Sequence, residues 1–480
     1  MKNTRSNNRA MAIVPHPDDE LNIVGQMIPL LQNMNTELFV VYTTNGDHTK
    51  ELDNKRIEEA LQANEVLGIS RDHVIFLGYP NEWGDCSHLY NTSGMDEHIS
   101  KLGKRVTNSI KDHSEFIYAE KNIHHSFSRN NYRDDLKNVI EKYLADLIIV
   151  VDYDGHIDHR ATSLLFDEVM GTILKEVSGY HPVVLKKFAY SGVWKGEKDY
   201  YKRNNYTCNT IKSPFGEDRN QTESPFFFWD ERIRFQADKN TYTVPLRKNI
   251  LYKAALKHKT QIAWYQMQRV LNADIVYWKR NTDNLALKAT VKASSGNSHC
   301  LNDFKLYDSN DERLDILSVP AGFYSWIPES SDPKKTITFD LENKTTVKQI
   351  NIYVPYWKGE QLKKIRIIFN ESQAYTVNDL DDKGRGIYTL IFENGIVAKN
   401  VGIQLLDFQG CGAITEVEIF DHLLEHKSIY ERTGIAEFSN GEGIHFNTGL
   451  QIEKLILNVK LLFTYKIKEK LKNIIRKSER

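Results

Sequence analysis

The chain has 480 residues, enough for more than one domain. Hydrophobic residues at 40% and charged residues at 26% exclude a disordered chain. A formal net charge of −1 leaves no global basic field, so no nucleic-acid partner is expected.

The amino terminus, Lys2 to Arg9, is polar and has no apolar core for a signal peptide. Met11-Ala12-Ile13-Val14 reads as a buried strand. It runs into Pro15-His16-Pro17-Asp18-Asp19-Glu20, with a helix expected from about Glu20. Leu38 to Tyr42 is a strand, and residues 51–67 carry helical spacing through Ile57, Leu61 and Asn64. Val74 to Leu77 is a third strand. Residues 81–130 form a polar insertion carrying Trp83, His88, His98, His113, His124 and His125. A loop of that length is commonly functional and reads here as a cleft wall or lid, with His124-His125 a surface pair rather than a second metal point. A helix is expected over 131–145, then a strand from Asp146 to Val151, then Gly155-His156-Ile157-Asp158-His159. Alternation of strand and helix predicts a parallel sheet covered on both faces. Residues 194–232 are aromatic, with Trp194, Tyr200, Tyr201, Tyr206, Phe226, Phe227, Phe228 and Trp229. Such faces suit sugar rings and equally suit a core. Residues 247–272 read as helices.

Near Asn281 the pattern changes to short alternating segments split by Gly, Pro, Asn and Asp. They include Thr336–Phe339, Ile350–Val354, Ile365–Phe369, Val401–Leu405 and Val417–Phe420, and they predict a β-sandwich. From Glu453 to Arg480 an apolar stripe (Leu455, Val459, Leu462, Phe463, Ile467, Leu471, Ile474 and Ile475) falls on one helix face. Nine Lys or Arg stand there against three acids, a net of +6. A basic amphipathic helix of this kind suits an anionic membrane surface, the other reading being a helix docked on the body or on another subunit. No run of about 20 apolar residues is present to span a bilayer. The four cysteines, at 86, 208, 300 and 411, form neither a metal spacing nor a disulfide framework, which suits a cytoplasmic setting. The expected division is 10–282, an α/β domain; 283–422, a β-sandwich; 423–451, a linker; and 452–480, the basic helix.

The two His/Asp clusters each follow a strand, and loops at the carboxyl ends of parallel strands converge on one crevice. Zinc takes imidazole nitrogen and carboxylate oxygen, and a catalytic site leaves one position for water. His16, Asp19 and His159 fit such a set. Asp18, beside a ligand, is placed to take a proton from the metal-bound water, whose pKa zinc lowers to about 7. His156, oriented by Asp158, holds the opposite side, where a protonated imidazole stabilises an oxyanion or protonates a leaving amine. Taken alone, His-Pro-Asp-Asp reads as a turn or helix cap and His-x-Asp-His as a polar loop. Their pairing behind two buried strands favours the metal reading.

These residues resemble the LmbE-like/PIG-L family of zinc-dependent N-acetylglucosaminyl deacetylases. The family's His-Pro-Asp-Asp-Glu stands at His16–Glu20 and its His-x-Asp-His at His156–His159. Thr43–Asp47, Arg56-x-x-Glu59 with Ala63 and Leu67-Gly68, and Phe76–Pro80 resemble the intervening segments over about residues 10–280. The resemblance implies a Rossmann-like fold holding one Zn2+ on His16, Asp19 and His159. It makes Asp18 the general base, His156 the electrophilic or acid histidine with Asp158 its partner, and Arg56 a substrate contact. Ile157 departs from the Pro frequent in the family, and the chain runs well beyond the length of many members. Asn284-Leu285-Ala286, Ser325-Trp326-Ile327, Phe339-Asp340-Leu341 and Ala413–Phe420 resemble the discoidin or coagulation-factor type C family, a galactose-binding-like jelly roll. That resemblance implies a glycan-binding module, or equally a scaffold.

The expected activity is de-N-acetylation of an N-acetylhexosamine unit in a glycan or glycolipid precursor, at the inner face of a membrane, in polysaccharide biosynthesis. The alternatives are a small-molecule or glycoside amidase of the same zinc chemistry and a non-catalytic glycan-binding protein.

Overall fold

The computed structural model describes residues 8–50, 52, 54–82, 89–91, 94–153, 156–189, 211–212, 218–219, 232–267, 271–306, 325–355, 359–382, 386–424, 451–460 and 462–463. In chain order, the first unit contains strands β1 (Arg9–Val14), β2 (Glu37–Thr44), β3 (Val74–Tyr79), β4 (Leu147–Val151) and β5 (Val183–Lys187). A separate two-residue hairpin, β6 (Ile211–Lys212) and β7 (Asp218–Arg219), precedes β8 (Ile233–Gln236) and β9 (Asp274–Arg280). Most of the aromatic stretch 194–232 lies outside the described residues. The helices are α1 (Asp19–Ile23), α2 (Ile28–Asn33), α3 (Lys55–Val66), α4 (Phe116–Lys121), α5 (Arg129–Tyr143), α6 (Ile157–Glu176), α7 (Lys239–Tyr242), α8 (Ile250–Ala255) and α9 (Trp264–Met267).

The sheet order is β3-β2-β1-β4-β5-β9-β8. Strands β1 to β5 pair in parallel, and β9 and β8 extend the sheet with antiparallel pairing. Ala10 to Val14 are fully buried, as expected of a central parallel strand covered on both faces. On α3 the buried set Ile57, Ala60, Leu61 and Asn64 follows the helical period, so one stripe faces the sheet. The chain moves outward from β1 through β2 to β3 and then returns to the other side of β1 with β4. The order therefore reverses between β1 and β4, the place where open α/β sheets hold ligands.

The second unit is an antiparallel sheet of β10 (Thr290–Ala293), β11 (Thr336–Tyr353), β12 (Gln361–Phe369), β13 (Gln373–Val377), β14 (Ile387–Gln409) and β15 (Glu416–Phe420), consistent with a β-sandwich. The short segments expected from Thr336 to Val354 lie almost entirely on one 18-residue strand, β11. Polar Glu342-Asn343-Lys344 reads as a break, but the chain stays extended there. The pairing with β14 shifts register between Asp340 and Thr345, the behaviour of a bulge.

The two units meet along a packed seam. Leu287, Phe304, Leu306 and Tyr353 belong to the core of the first unit. Arg280 donates to the Phe304 carbonyl at 2.7 Å, and its guanidinium lies 4.2 Å from the centre of the Phe304 ring. Glu416 accepts the backbone N–H groups of Asp303 (3.1 Å) and Phe304 (3.2 Å). In the last third of α6, Gly171 lies so close to this turn that a methyl group built there would collide with the Asp303 carbonyl. The division proposed at 282/283 thus lies at a close contact. Residues 451–460 and 462–463 are helical. Leu457 is buried in the first core, and Glu453 accepts the Arg247 backbone N–H at 2.9 Å. The remainder of the tail and most of the linker at 423–451 lie outside the described residues. Among those described, no helix is long and apolar enough to cross a membrane.

Candidate metal and catalytic site

The loops after β1 and β4 meet at the reversal point. Pro15 and Pro17 flank His16 and fix the local φ on both sides. His16 Nδ1 lies 2.9 Å from Asp19 Oδ2. His159 Nε2, from the first turn of α6, lies 3.2 Å from the same oxygen and 3.3 Å from His16 Nδ1. Three donors from two loops thus form a small triangle, and all three side chains are buried. Around a tetrahedral zinc with bonds of roughly 2.0–2.2 Å, neighbouring donors stand about 3.3–3.6 Å apart. Here the three donors stand 2.9–3.3 Å apart, close to that spacing.

Two observations test whether the residues suit a dication. Asp19 Oδ1 is buried and has no hydrogen-bond partner among the described residues. Asp18, Asp19, Glu20 and Asp158 concentrate negative charge at the strand ends. Burial opposes a charge on His16, but its hydrogen bonds to Asp158 and Asp19 outweigh that and raise its pKa. Burial likewise opposes ionisation of Asp19, yet His159 and His16 hold its carboxyl well below the usual range. An imidazolium between two carboxylates is thus the charge arrangement that a divalent cation would replace, and the site fits one.

His156 also reaches this cluster: nitrogens of His16, His156 and His159 lie within 4.8 Å of one another. The neighbouring geometry separates its role from theirs. His156 is the N-cap of α6, and its Nδ1 accepts the Asp158 backbone N–H at 3.1 Å. A neutral imidazole that accepts at Nδ1 carries its proton on Nε2, which makes it a donor and not a metal ligand. Burial pushes its pKa down to about 3, and the charge on His16 adds to the effect. Both observations favour a neutral His156 that presents Nε2–H, in place of the expected imidazolium.

Asp158, expected to partner His156, faces both histidines. Its Oδ2 lies 2.8 Å from His16 Nε2 but 3.8 Å from His156 Nδ1. It further accepts from Asn81 Nδ2 (2.5 Å) and the Glu82 backbone N–H (3.1 Å). A carboxylate behind a ligating histidine fixes its ring and raises its basicity. The carboxylate of Asp158 thus lies nearer His16 than His156, to which its backbone N–H donates.

Asp18 caps α1 with φ 116°, a conformation rarely adopted by a residue with a side chain. Burial pushes its carboxyl up to about 6, against the pull of Arg56. Arg56, expected to contact substrate, is buried and turned inward. Its guanidinium donates to the carbonyls of Pro17 (2.6 Å) and Gly46 (3.2 Å) and to Asp18 Oδ1 (3.1 Å). The arginine holds the Asp18 loop instead.

Asn81 was missed in the sequence. It follows β3, whose exit loop joins the same crevice, so the strand-end rule that finds His16 and His156 also points there. Glu20 stands in the His-Pro-Asp-Asp-Glu signature, but its partner His258, 2.6 Å away across 238 positions, left no sequence signal. The described part of the insertion walls one side, through Lys104 to Asp47 (2.9 Å), His98 to Glu82 (2.6 Å) and the Asn108 carbonyl to Asn45 Nδ2 (2.6 Å). His124 and His125 pair with Glu115 (2.5 Å) and Asp135 (3.0 Å), and they join no metal-ligating group among the described residues. Cavities of about 370 and 430 Å3 lie at the seam near Leu174, Lys175 and Leu287, at the other end of α6.

Residues 11–170 match the family described as PIG-L, GlcNAc-PI de-N-acetylase. No match is found among curated proteins. Solved structures similar to the chain include N,N'-diacetylchitobiose deacetylase from Pyrococcus horikoshii, at 14% identity and TM-score 0.32, covering 57% of this chain and 84% of that one. CpGH89CBM32-6 produced by Clostridium perfringens is similar at 21% identity and TM-score 0.20, covering 29% of this chain and 99% of that one. The lectin domain of lectinolysin, complexed with Lewis B antigen, is similar at 16% identity and TM-score 0.24, covering 30% and 99%. Residues 11–170, which carry both His/Asp clusters, are a PIG-L deacetylase domain.

Proposed function

We propose that this chain is a metal-dependent de-N-acetylase acting on the acetamide of an N-acetylhexosamine unit. The observation that carries the reading is the convergence of His16 Nδ1, Asp19 Oδ2 and His159 Nε2 to within 3.3 Å at the reversal point of the sheet. These three residues would hold one Zn2+ or another divalent metal. When bound, zinc supplies Lewis acidity, which makes water acidic near neutral pH and polarises an acyl oxygen. Asp18, as the carboxylate, takes a proton from the attacking water. Water oxygen bonds to the acetyl carbon, and His156 Nε2–H donates to the acyl oxygen as negative charge gathers on it. The C–N bond then breaks, the Asp18 proton passes to the departing nitrogen, and acetate and a free amine result. Asp158, through His16, and Arg56, through Asp18, keep these groups in place.

Acetate release from a panel of N-acetylhexosaminides, with and without chelator, tests the reading. Release that stops with chelator and returns with Zn2+ is expected. Release only from thiol-conjugate or antibiotic amides would favour the amidase alternative. Glycan binding by metal-loaded protein without release would favour the non-catalytic one.

The exposed face of the carboxyl-terminal helix supports a lipid-linked glycan as substrate and a place at the inner face of a membrane, in polysaccharide or glycolipid synthesis. Ile452, Leu455, Ile456, Val459, Leu462 and Phe463 are all exposed, while Leu457 points the other way and anchors the helix to the body. The described part of the apolar stripe, to Phe463, therefore faces outward, and Lys454 and Lys460 lie beside it. An anionic bilayer satisfies both features, with each basic residue near the surface contributing about 1 kcal/mol. Leu455→Glu combined with Leu462→Glu leaves the Leu457 anchor intact. It should move the protein from pellet to supernatant in sedimentation with anionic vesicles, and sparing activity on a soluble sugar is expected. Pelleting unchanged by the substitutions, or concentration-dependent dimers lost with them, would overturn the membrane reading.

A further inference from the structure

A φ of 116° at Asp18 persists only if its surroundings hold it there. The Asp18 N–H donates to Glu20 Oε2 at 2.9 Å. Glu20 sits on α1, a five-residue helix too short to fix a side chain by itself. Its other oxygen, Oε1, lies 2.6 Å from His258 Nε2, and both side chains are fully buried. His258 follows α8 and lies outside the segment matched by the PIG-L family. Two residues on, Thr260 donates its backbone N–H (3.0 Å) and its hydroxyl (2.7 Å) to Glu59. Glu59 lies on α3, three positions from Arg56, which grips Asp18 from the other side. The turn at 258–260 is thus fastened both to the helix that carries Arg56 and to the helix that Asp18 caps.

We propose that this turn is a brace for the general base, and that His258 is a positioning residue acting on Asp18 through Glu20. The proposal rests on the de-N-acetylase reading for the role of Asp18, but not for the brace itself. His258 touches no reacting atom. It holds the Glu20 carboxylate so that one oxygen faces the Asp18 amide, and this sets the direction of the Asp18 side chain. A displacement of about 1 Å in a reacting group costs up to about 10²-fold in rate.

The test uses the full-length, metal-loaded protein. His258→Ala should lower kcat about 10- to 100-fold, leave KM within about twofold and leave bound metal unchanged. His258→Gln, which keeps a donor toward Glu20, should restore most of the loss. In an Asp18→Asn background, His258→Ala should cost less than about twofold, because residues acting through one group are not additive. An equal loss in both backgrounds, or a rise in KM alone, would overturn the proposal. Amide hydrogen exchange gives a readout free of activity, and His258→Leu, which fills the space without a donor toward Glu20, supplies it should the alanine variant not fold. Faster exchange at Asp18 with β1 still protected supports the brace, and unchanged exchange at Asp18 overturns it. Absence of acetate release by the wild type would sink the reaction while leaving the exchange result to decide the brace.

Discussion

Asp18→Asn is expected to bind metal normally and to lose about 10²- to 10⁴-fold in kcat, the range for removing a general base. The substitution is nearly isosteric, and its side-chain oxygen can still accept from Arg56, so the loop should keep its shape. Only the capacity to take a proton disappears. Because Asp18 works ionised, wild-type activity should rise with pH through the pKa of this carboxyl, and that limb should vanish in the Asn variant. A pH–rate profile with metal analysis checks both. Near-normal turnover at full metal occupancy would require a different base.

Loss of a ligand should act on the metal itself. Replacing a partner behind a ligand typically costs about 10–100-fold in metal affinity. Asp19→Ala or His159→Ala, which remove a donor outright, should cost more and leave the isolated protein without metal. Asp158→Asn separates the two assignments for that residue. If its carboxylate serves His16, metal affinity falls by about 10–100-fold. If it serves His156, affinity stays and only kcat falls. Metal titration beside circular dichroism decides, and stoichiometric metal in a folded His159→Ala variant would remove that residue from the set.

The central strands, α3, α5 and the sandwich pattern were legible because apolar periodicity reports burial directly. The two His/Asp clusters were legible because chemistry placed just after a buried strand leaves few other readings. What escaped depends on direction or distance. Sequence places Asp158 near both His16 and His156, but ring orientation decides which one meets its carboxylate. Arg56 reads as a cation available to substrate, and only its burial shows that it points toward Pro17 and Asp18. The Asp274–Arg280 strand is a short apolar run after a helical segment, and periodicity cannot tell such a run from a buried helix. Glu342-Asn343-Lys344 has the composition of a turn, yet a bulge lets an extended chain carry it.

Gly171 lies on the same helix as His159, but its constraint comes from the Asp303 carbonyl across the seam. Interiors packed this closely transmit such constraints without needing contact with the chemistry. Once the Asp303 turn rests on the helix, larger residues at 171 are penalised. Loss of the sandwich from the gene would also strip the cover from the apolar surface that Phe304 and Leu306 occupy. The helix that carries His159 therefore also carries a position whose size is limited by a neighbouring domain, through a residue far from the candidate site.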